Sequence, residues 1–205
     1  MNFKVCLVLV ACLLPLGAQA ADAAAGKGAY AVCAACHGQN GEGNVAMNAP
    51  KLAGQEGWYI KRQLAAYKAG QRGTAAGDTF GMQMRPMAMA VGDPTAEDNL
   101  IAYIATFPAV AAEPTVTGDA AAGKAQYAVC AACHGPNGEG NQQLGGPRLA
   151  GQSDWYLVRQ IKNYNANLRG YDPKDTFGMQ MRPMAATLSS DKAINDVVAY
   201  INTLK

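Results

Sequence analysis

The residues best suited to chemistry are two identical pentapeptides, Cys33-Ala-Ala-Cys36-His37 and Cys130-Ala-Ala-Cys133-His134. Together they hold both histidines of the 205-residue chain and four of its six cysteines. This is the spacing of c-type haem attachment. Two thiols must reach the two vinyl groups on one edge of a porphyrin, and the next side chain must reach the iron. On a helix, Cys-x-x-Cys-His sets all three on neighbouring positions of one turn. A zinc site built from four thiolates leaves unexplained why each pair is followed by His and why the pairs lie in matching parts of the chain. A thioredoxin-like redox pair wants a βαβ context, which is missing, and simple disulfides leave the histidines without a task.

With both histidines used as haem ligands, no third one remains for a bis-His iron within the chain. The candidates for a sixth ligand are Met, Lys, Asn, water or an open position. Met is the one that, with His, gives a low-spin electron-transfer haem of raised potential. The stretch DTFGMQMRPMA stands at 78–88 and again, unchanged, at 175–185, and each copy carries three methionines. Any single Met is by default a flexible packing residue. Residue types alone leave the choice within each triplet open.

The two motifs belong to a duplication. A shift of 97 brings Cys33 onto Cys130, Trp58 onto Trp155, Met84 onto Met181 and Tyr103 onto Tyr200, and 49 of 86 positions match between 22–107 and 119–204 without a gap. Each half must therefore fold in the same way around the same kind of site. Residues 21–108 are read as the first domain, 109–118, rich in Pro, Ala and Thr, as a linker, and 119–205 as the second domain.

Three main helices per half are expected to position the motifs. The first starts at the N-cap Asp22 or Asp119 and runs to the cysteines. The second covers 56–69 and 153–168, on the helical spacing of Trp58, Tyr59, Gln63, Leu64 and Tyr67. The third covers 94–106 and 190–204, opened in the first half by Asp93 and Pro94. The segments between carry no strand pattern, so the Met segment is expected as a loop stiffened by Pro86 or Pro183. An all-α domain of this size gains from a covalent cofactor as a staple.

Residues 1–20, MNFKVCLVLVACLLPLGAQA, have one Lys, an apolar run and a small-x-small ending, the layout of a cleaved signal peptide. Lipoprotein processing at Cys12 is the rival reading. Past the leader, Lys and Arg number sixteen against fifteen Asp and Glu, which offers no basis for nucleic-acid binding. No later stretch is apolar enough to span a bilayer, although surface attachment to a membrane stays open.

With CAACHG-x-NGEGN at 33–44 and 130–141, Pro-(Lys/Arg)-Leu-Ala-Gly-Gln at 50–55 and 147–152, the Met segment and a closing Ala-Tyr-Ile helix, each half resembles a class I cytochrome c domain. The whole resembles the dihaem cytochrome c4 family. The resemblance implies two covalently attached haem c groups on Cys33, Cys36, Cys130 and Cys133, with His37 and His134 as iron ligands. It implies that the Pro50 and Pro147 carbonyls accept from those histidines, that Leu52 and Leu149 pack on the haem, and that Gly26 and Gly123 let the first and last helices cross. The axial Met of the family stands seven residues before a hydrophobic residue that leads into the last helix. Val91 and Leu188 take that place, which selects Met84 and Met181, with Met87 and Met184 as the alternative pair. Met82, Met179, Met87 and Met184 are then expected along the haem edge. Trp58, Trp155, Arg62 and Arg159 could reach haem propionates or serve packing alone.

The function so implied is a periplasmic electron carrier, not an enzyme, since two six-coordinate irons leave no position for peroxide or oxygen. Its expected partners are a quinol-oxidising complex or dehydrogenase upstream and a terminal oxidase or reductase downstream. The alternatives are a haem peroxidase or gas sensor with one open iron, and a fixed electron-transfer subunit of a dehydrogenase. Differences between the halves at 45–49, 74–77 and 92–101 lead to the expectation of two unequal haem potentials.

Overall fold

A computed structural model describes residues 20–204. The expected leader lies, except for its last residue, outside the described residues. Among those residues the chain is all-α, with four helices in each half and only single bridges, Asn44 with Ala49 and Asn141 with Gly146, outside them. The first half holds α1 (Ala23–His37), α2 (Gly57–Lys68), α3 (Thr79–Met89) and α4 (Pro94–Ile104). The second repeats them as α5 (Ala120–His134), α6 (Asp154–Asn165), α7 (Thr176–Ala186) and α8 (Asp191–Ile201).

The helix starts follow the caps. The Asp22 carboxylate accepts from the backbone N–H groups of Ala24 and Ala25, Asp119 does the same for Ala121 and Ala122, and Asp93 accepts from Ala96 N–H ahead of Pro94. The ends are shorter than expected: α6 stops at Asn165, because Asn167 takes a positive φ of 58°.

The Met segment is the main departure. It forms α3 and α7 instead of loops, although Pro86 and Pro183 lie inside. Asp78 and Asp175 cap these helices on the N–H of Gly81 and Gly178. Proline removes the donor that would serve the carbonyl four residues earlier. That carbonyl belongs to Met82 or Met179, and both ends of the lost bond are exposed, so water can satisfy the oxygen.

In each half the first and last helices cross, α1 on α4 and α5 on α8. The contact depends on glycine: a Cβ on Gly26 would stand 2.0 Å from the Asn99 carbonyl oxygen, and one on Gly123 only 1.9 Å from that of Asp196. Beside the crossings, Tyr30 packs on Tyr103 and Tyr127 on Tyr200, with ring centroids 5.6 Å and 5.3 Å apart. Each half has its own core, centred on Tyr30, Leu64, Leu100 and Ile104 in one and on Tyr127, Ile161, Val197 and Val198 in the other.

The 109–118 segment is tied to the second half. The Asp154 carboxylate, with no exposed surface, accepts from the N–H groups of Thr115 and Val116, the Thr115 hydroxyl and the Asn202 amide. Burial alone would raise the Asp154 pKa, but these bonds outweigh it and hold the carboxyl below its ordinary value. Gly57 occupies the matching position in the first half and brings no carboxylate.

Candidate haem sites

Each cysteine-histidine motif forms the last turn of its helix and opens onto a cavity in its own half. Cys33, Cys36, His37, Pro50, Leu52, Met84 and Met87 line the first; Cys130, Cys133, His134, Pro147, Leu149, Met181 and Met184 line the second. The loop after α1 is what sets the histidine. The Gly38 carbonyl accepts from the Tyr30 hydroxyl at 2.7 Å, the Gly41 carbonyl from the N–H of Leu52 and Ala53, and the His37 carbonyl from Gly43 N–H. This folds Pro50 back over the helix end, where its carbonyl accepts from His37 Nδ1–H at 2.7 Å. Pro147 and His134 repeat the bond at 2.7 Å. A carbonyl can only accept, so Nδ1 carries the proton and Nε2 keeps its lone pair for a metal. Burial holds both imidazoles below their ordinary pKa, against the opposing pull of the proline carbonyls, which favours the neutral ligand form. Burial likewise pushes the Cys33 and Cys130 thiols up.

The methionines separate by position on α3 and α7. Met84 and Met181 are half-buried and pack on the two cores, while Met87 and Met184 line the cavities from more exposed positions. Met82 and Met179 are exposed and line neither cavity, contrary to the expected sulfur-rich wall of both neighbours. The helix explains this. Residues two apart on a helix point 200° away from each other, whereas three apart share a face.

The two cavities meet. Tyr59, Gln63, Tyr156 and Gln160, from α2 and α6, line both. Between them lie the buried guanidiniums of Arg72 and Arg169, each about 5–6 % exposed. Arg72 donates to Gln63 Oε1 at 2.7 Å, Gln160 Oε1 at 3.0 Å and the Tyr156 hydroxyl at 3.1 Å. Arg169 mirrors it, donating to Gln160 Oε1 at 2.9 Å, Gln63 Oε1 at 3.0 Å and the Tyr59 hydroxyl at 2.8 Å.

Arg62 and Arg159 cross the boundary. Arg62 sits over the Phe177 ring at 4.4 Å and donates to the Gly145 carbonyl; Arg159 sits over Phe80 at 4.3 Å and donates to Asn48 Oδ1. Each thus lines the cavity of the opposite half. They also stack on Trp58 and Trp155. None of these interface contacts could be deduced from spacing; the one hint was that Tyr59, Arg62, Gln63 and Arg72 recur in the second half among neighbours that differ.

The residues present fit two haem groups. Each cavity offers two thiols, an imidazole with a free Nε2 and thioether sulfur. Among the described residues, Arg72 and Arg169 are buried cations whose hydrogen-bond partners include no carboxylate, and Arg159 Nη1 is buried without a partner. Buried like charges call for nearby anions, and haem brings two propionates at the edge away from its thioether links.

The sequence and the fold both have clear relatives. The cytochrome c family model matches residues 23–108 and again 120–205. Cytochrome c4 of Azotobacter vinelandii is 37 % identical, with 96 % of this chain and 98 % of that protein covered. A protein of Stutzerimonas stutzeri (strain A1501) described as a thiosulfate dehydrogenase electron acceptor is 32 % identical, with 94 % and 90 % covered. The crystal structure of reduced recombinant cytochrome c4 from Pseudomonas stutzeri superposes with a TM-score of 0.70 at 33 % identity, covering 91 % of this chain and all of that one. A haem-attachment motif in each half, two cavities that touch, and likeness along nearly the full length make this chain a member of the cytochrome c family, within its dihaem cytochrome c4 branch.

Proposed function

We propose that this chain is a periplasmic carrier that passes single electrons between a respiratory donor and a terminal oxidase or reductase. Bound haem supplies the one-electron iron couple; the chain supplies the ligands, the surroundings and the path. In this reading Cys33 and Cys36 hold the first haem and Cys130 and Cys133 the second. His37 and His134, with Met84 and Met181, would serve as the iron ligands. Pro50 and Pro147 keep the imidazoles oriented, and Leu52 and Leu149 keep water from the haem face. Arg72 and Arg169 neutralise propionates and hold the two sites in fixed register.

The observation that carries the proposal is the shared wall of the two cavities. Tyr59, Gln63, Tyr156 and Gln160 bound both, so groups held in them would be separated by one layer of side chains, across which an electron taken up at one could pass to the other. A dehydrogenase as donor is supported by the relative described as accepting electrons from thiosulfate dehydrogenase. A quinol-oxidising complex is the other donor of the proposal. Export rests on the apolar leader at 1–20. Among the described residues, no helix is long and apolar enough to cross a membrane.

The test is an optical and magnetic titration of the oxidised protein. Both haems should be low-spin and carry the charge-transfer band of Met-ligated iron, and two one-electron reductions should be seen. A high-spin haem that reacts rapidly with peroxide would overturn the carrier reading in favour of an enzyme or sensor. Co-purification in fixed ratio with a dehydrogenase would replace a mobile carrier by a bound subunit.

A further inference from the structure

The halves are so alike that charge differences between their sites stand out. Arg62 pairs with Arg159, Arg72 with Arg169, Lys51 with Arg148 and Glu42 with Glu139 under the shift of 97. Each pair places the same sign at both sites, so to first order its effects on the difference between the two haems cancel. Glu56 has no such mate, because its matching residue is Ser153.

Glu56 precedes α2 in the first half but reaches the second. Its Oε2 accepts from the backbone N–H of Arg148 at 2.9 Å. Arg148 directly follows Pro147, whose carbonyl accepts from His134 Nδ1–H. The carboxylate also lies so close to Gly140 that a Cβ there would stand 2.8 Å from Oε2, and Gly140 N–H donates to the His134 carbonyl. It therefore touches both segments that clamp the second imidazole. Ser153, which matches Glu56 under the shift of 97, carries no charge. The nearest acidic neighbour in sequence, Asp154, is turned onto Thr115, Val116 and Asn202.

We infer that Glu56 is a positioning residue of the first half that selectively lowers the reduction potential of the second haem. The inference rests on the carrier reading and on His134 as iron ligand. A negative charge beside the imidazole clamp stabilises the ferric iron, which carries one more positive charge than the ferrous form. It also makes the Pro147–Arg148 segment a better acceptor for the imidazole N–H, and so the imidazole a stronger donor to iron. Both effects disfavour reduction. Arg62 and Arg169 line the second cavity, and Arg159 and Arg72 line the first, so these charges are matched between the sites.

The test uses the full holoprotein and two substitutions. Glu56→Gln keeps the shape and an oxygen for Arg148 N–H while removing the charge. Ser153→Glu adds a carboxylate at the matching place. In spectro-electrochemical titration, Glu56→Gln should raise one of the two midpoint potentials and leave the other nearly still. The electron distribution between the haems should change roughly tenfold, which is about 59 mV for a one-electron couple. Ser153→Glu should lower the other potential. The inference is overturned if Glu56→Gln moves neither potential or moves both equally, or if both substitutions act on the same component. Haem content and the ligation band of the oxidised wild type are read separately; a fault there would count against the carrier reading and not against Glu56.

Discussion

Arg72 and Arg169, one from each half, donate to the same oxygen, Gln160 Oε1, at 3.0 Å and 2.9 Å. Gln63 Oε1 receives both as well, so two guanidiniums and two amide oxygens close a ring across the domain boundary. The ring lies between the cavities and makes the join between the halves polar, directional and buried.

Removing one oxygen should therefore cost more than a surface bond. Gln160→Leu leaves one donor of each guanidinium without an acceptor inside the protein, a loss of about 2–3 kcal/mol. For a chain of this size that corresponds to a fall of about 5 °C or more in thermal midpoint. Differential scanning calorimetry of the holoprotein measures it. An unchanged midpoint would mean that the ring is not part of the stable interface.

The proposed axial ligands make a sharper claim. Met84→Ala should abolish the Met–iron charge-transfer band of one haem, leave the other intact and lower one potential well below its wild-type value. Met181→Ala should do the same to the other haem. Met87→Ala and Met184→Ala should retain both bands with modest changes in potential. Magnetic circular dichroism of the four variants decides between the pairs.

The helix crossing offers a stability test with an internal control. Gly26→Ala drives a methyl into the Asn99 carbonyl and Gly123→Ala into that of Asp196, and overpacking of this kind costs about 1–3 kcal/mol or more. Gly28 lies on the same helix, and a methyl added there would meet nothing within 4 Å. Gly28→Ala should stabilise by up to about 1 kcal/mol through helix propensity. Denaturant unfolding followed at the haem band reads all three.

The clasp on the linker predicts a pH dependence. The folded Asp154 carboxyl titrates below its ordinary value of 3.8, so its contribution is present above that pH and is lost as acid protonates the folded form. Asp154→Asn should be less stable than wild type at neutral pH, and the two curves should converge in acid. Thermal midpoints from neutral pH down into strong acid measure the approach. Parallel curves would remove Asp154 as the origin.

The haem motifs, the duplication and the ordering of the proline, leucine and methionine segments were legible because each depends on local spacing or on an exact repeat. Helix α3 was not. Pro86 reads as a breaker, and only the exposure of Met82 and Pro86 makes its lost hydrogen bond tolerable. The course of α3 also turns Met82 away from the cavity, a distinction of register that no count of methionines contains. The interface was hidden for a different reason. Arg62 and Arg159 look like ordinary helix-surface residues until two halves are docked, and their partners lie 83 and 111 residues away.

The covalent joining of the halves has a consequence for how such a molecule can be tuned. In a dimer of identical chains, every substitution is made twice, and a carboxylate placed against one imidazole clamp would face the other too. A single polypeptide with tandem copies breaks that bond between form and symmetry. Glu56 and Ser153 show the freedom in use: the scaffold stays paired, while each metal centre becomes separately addressable by mutation.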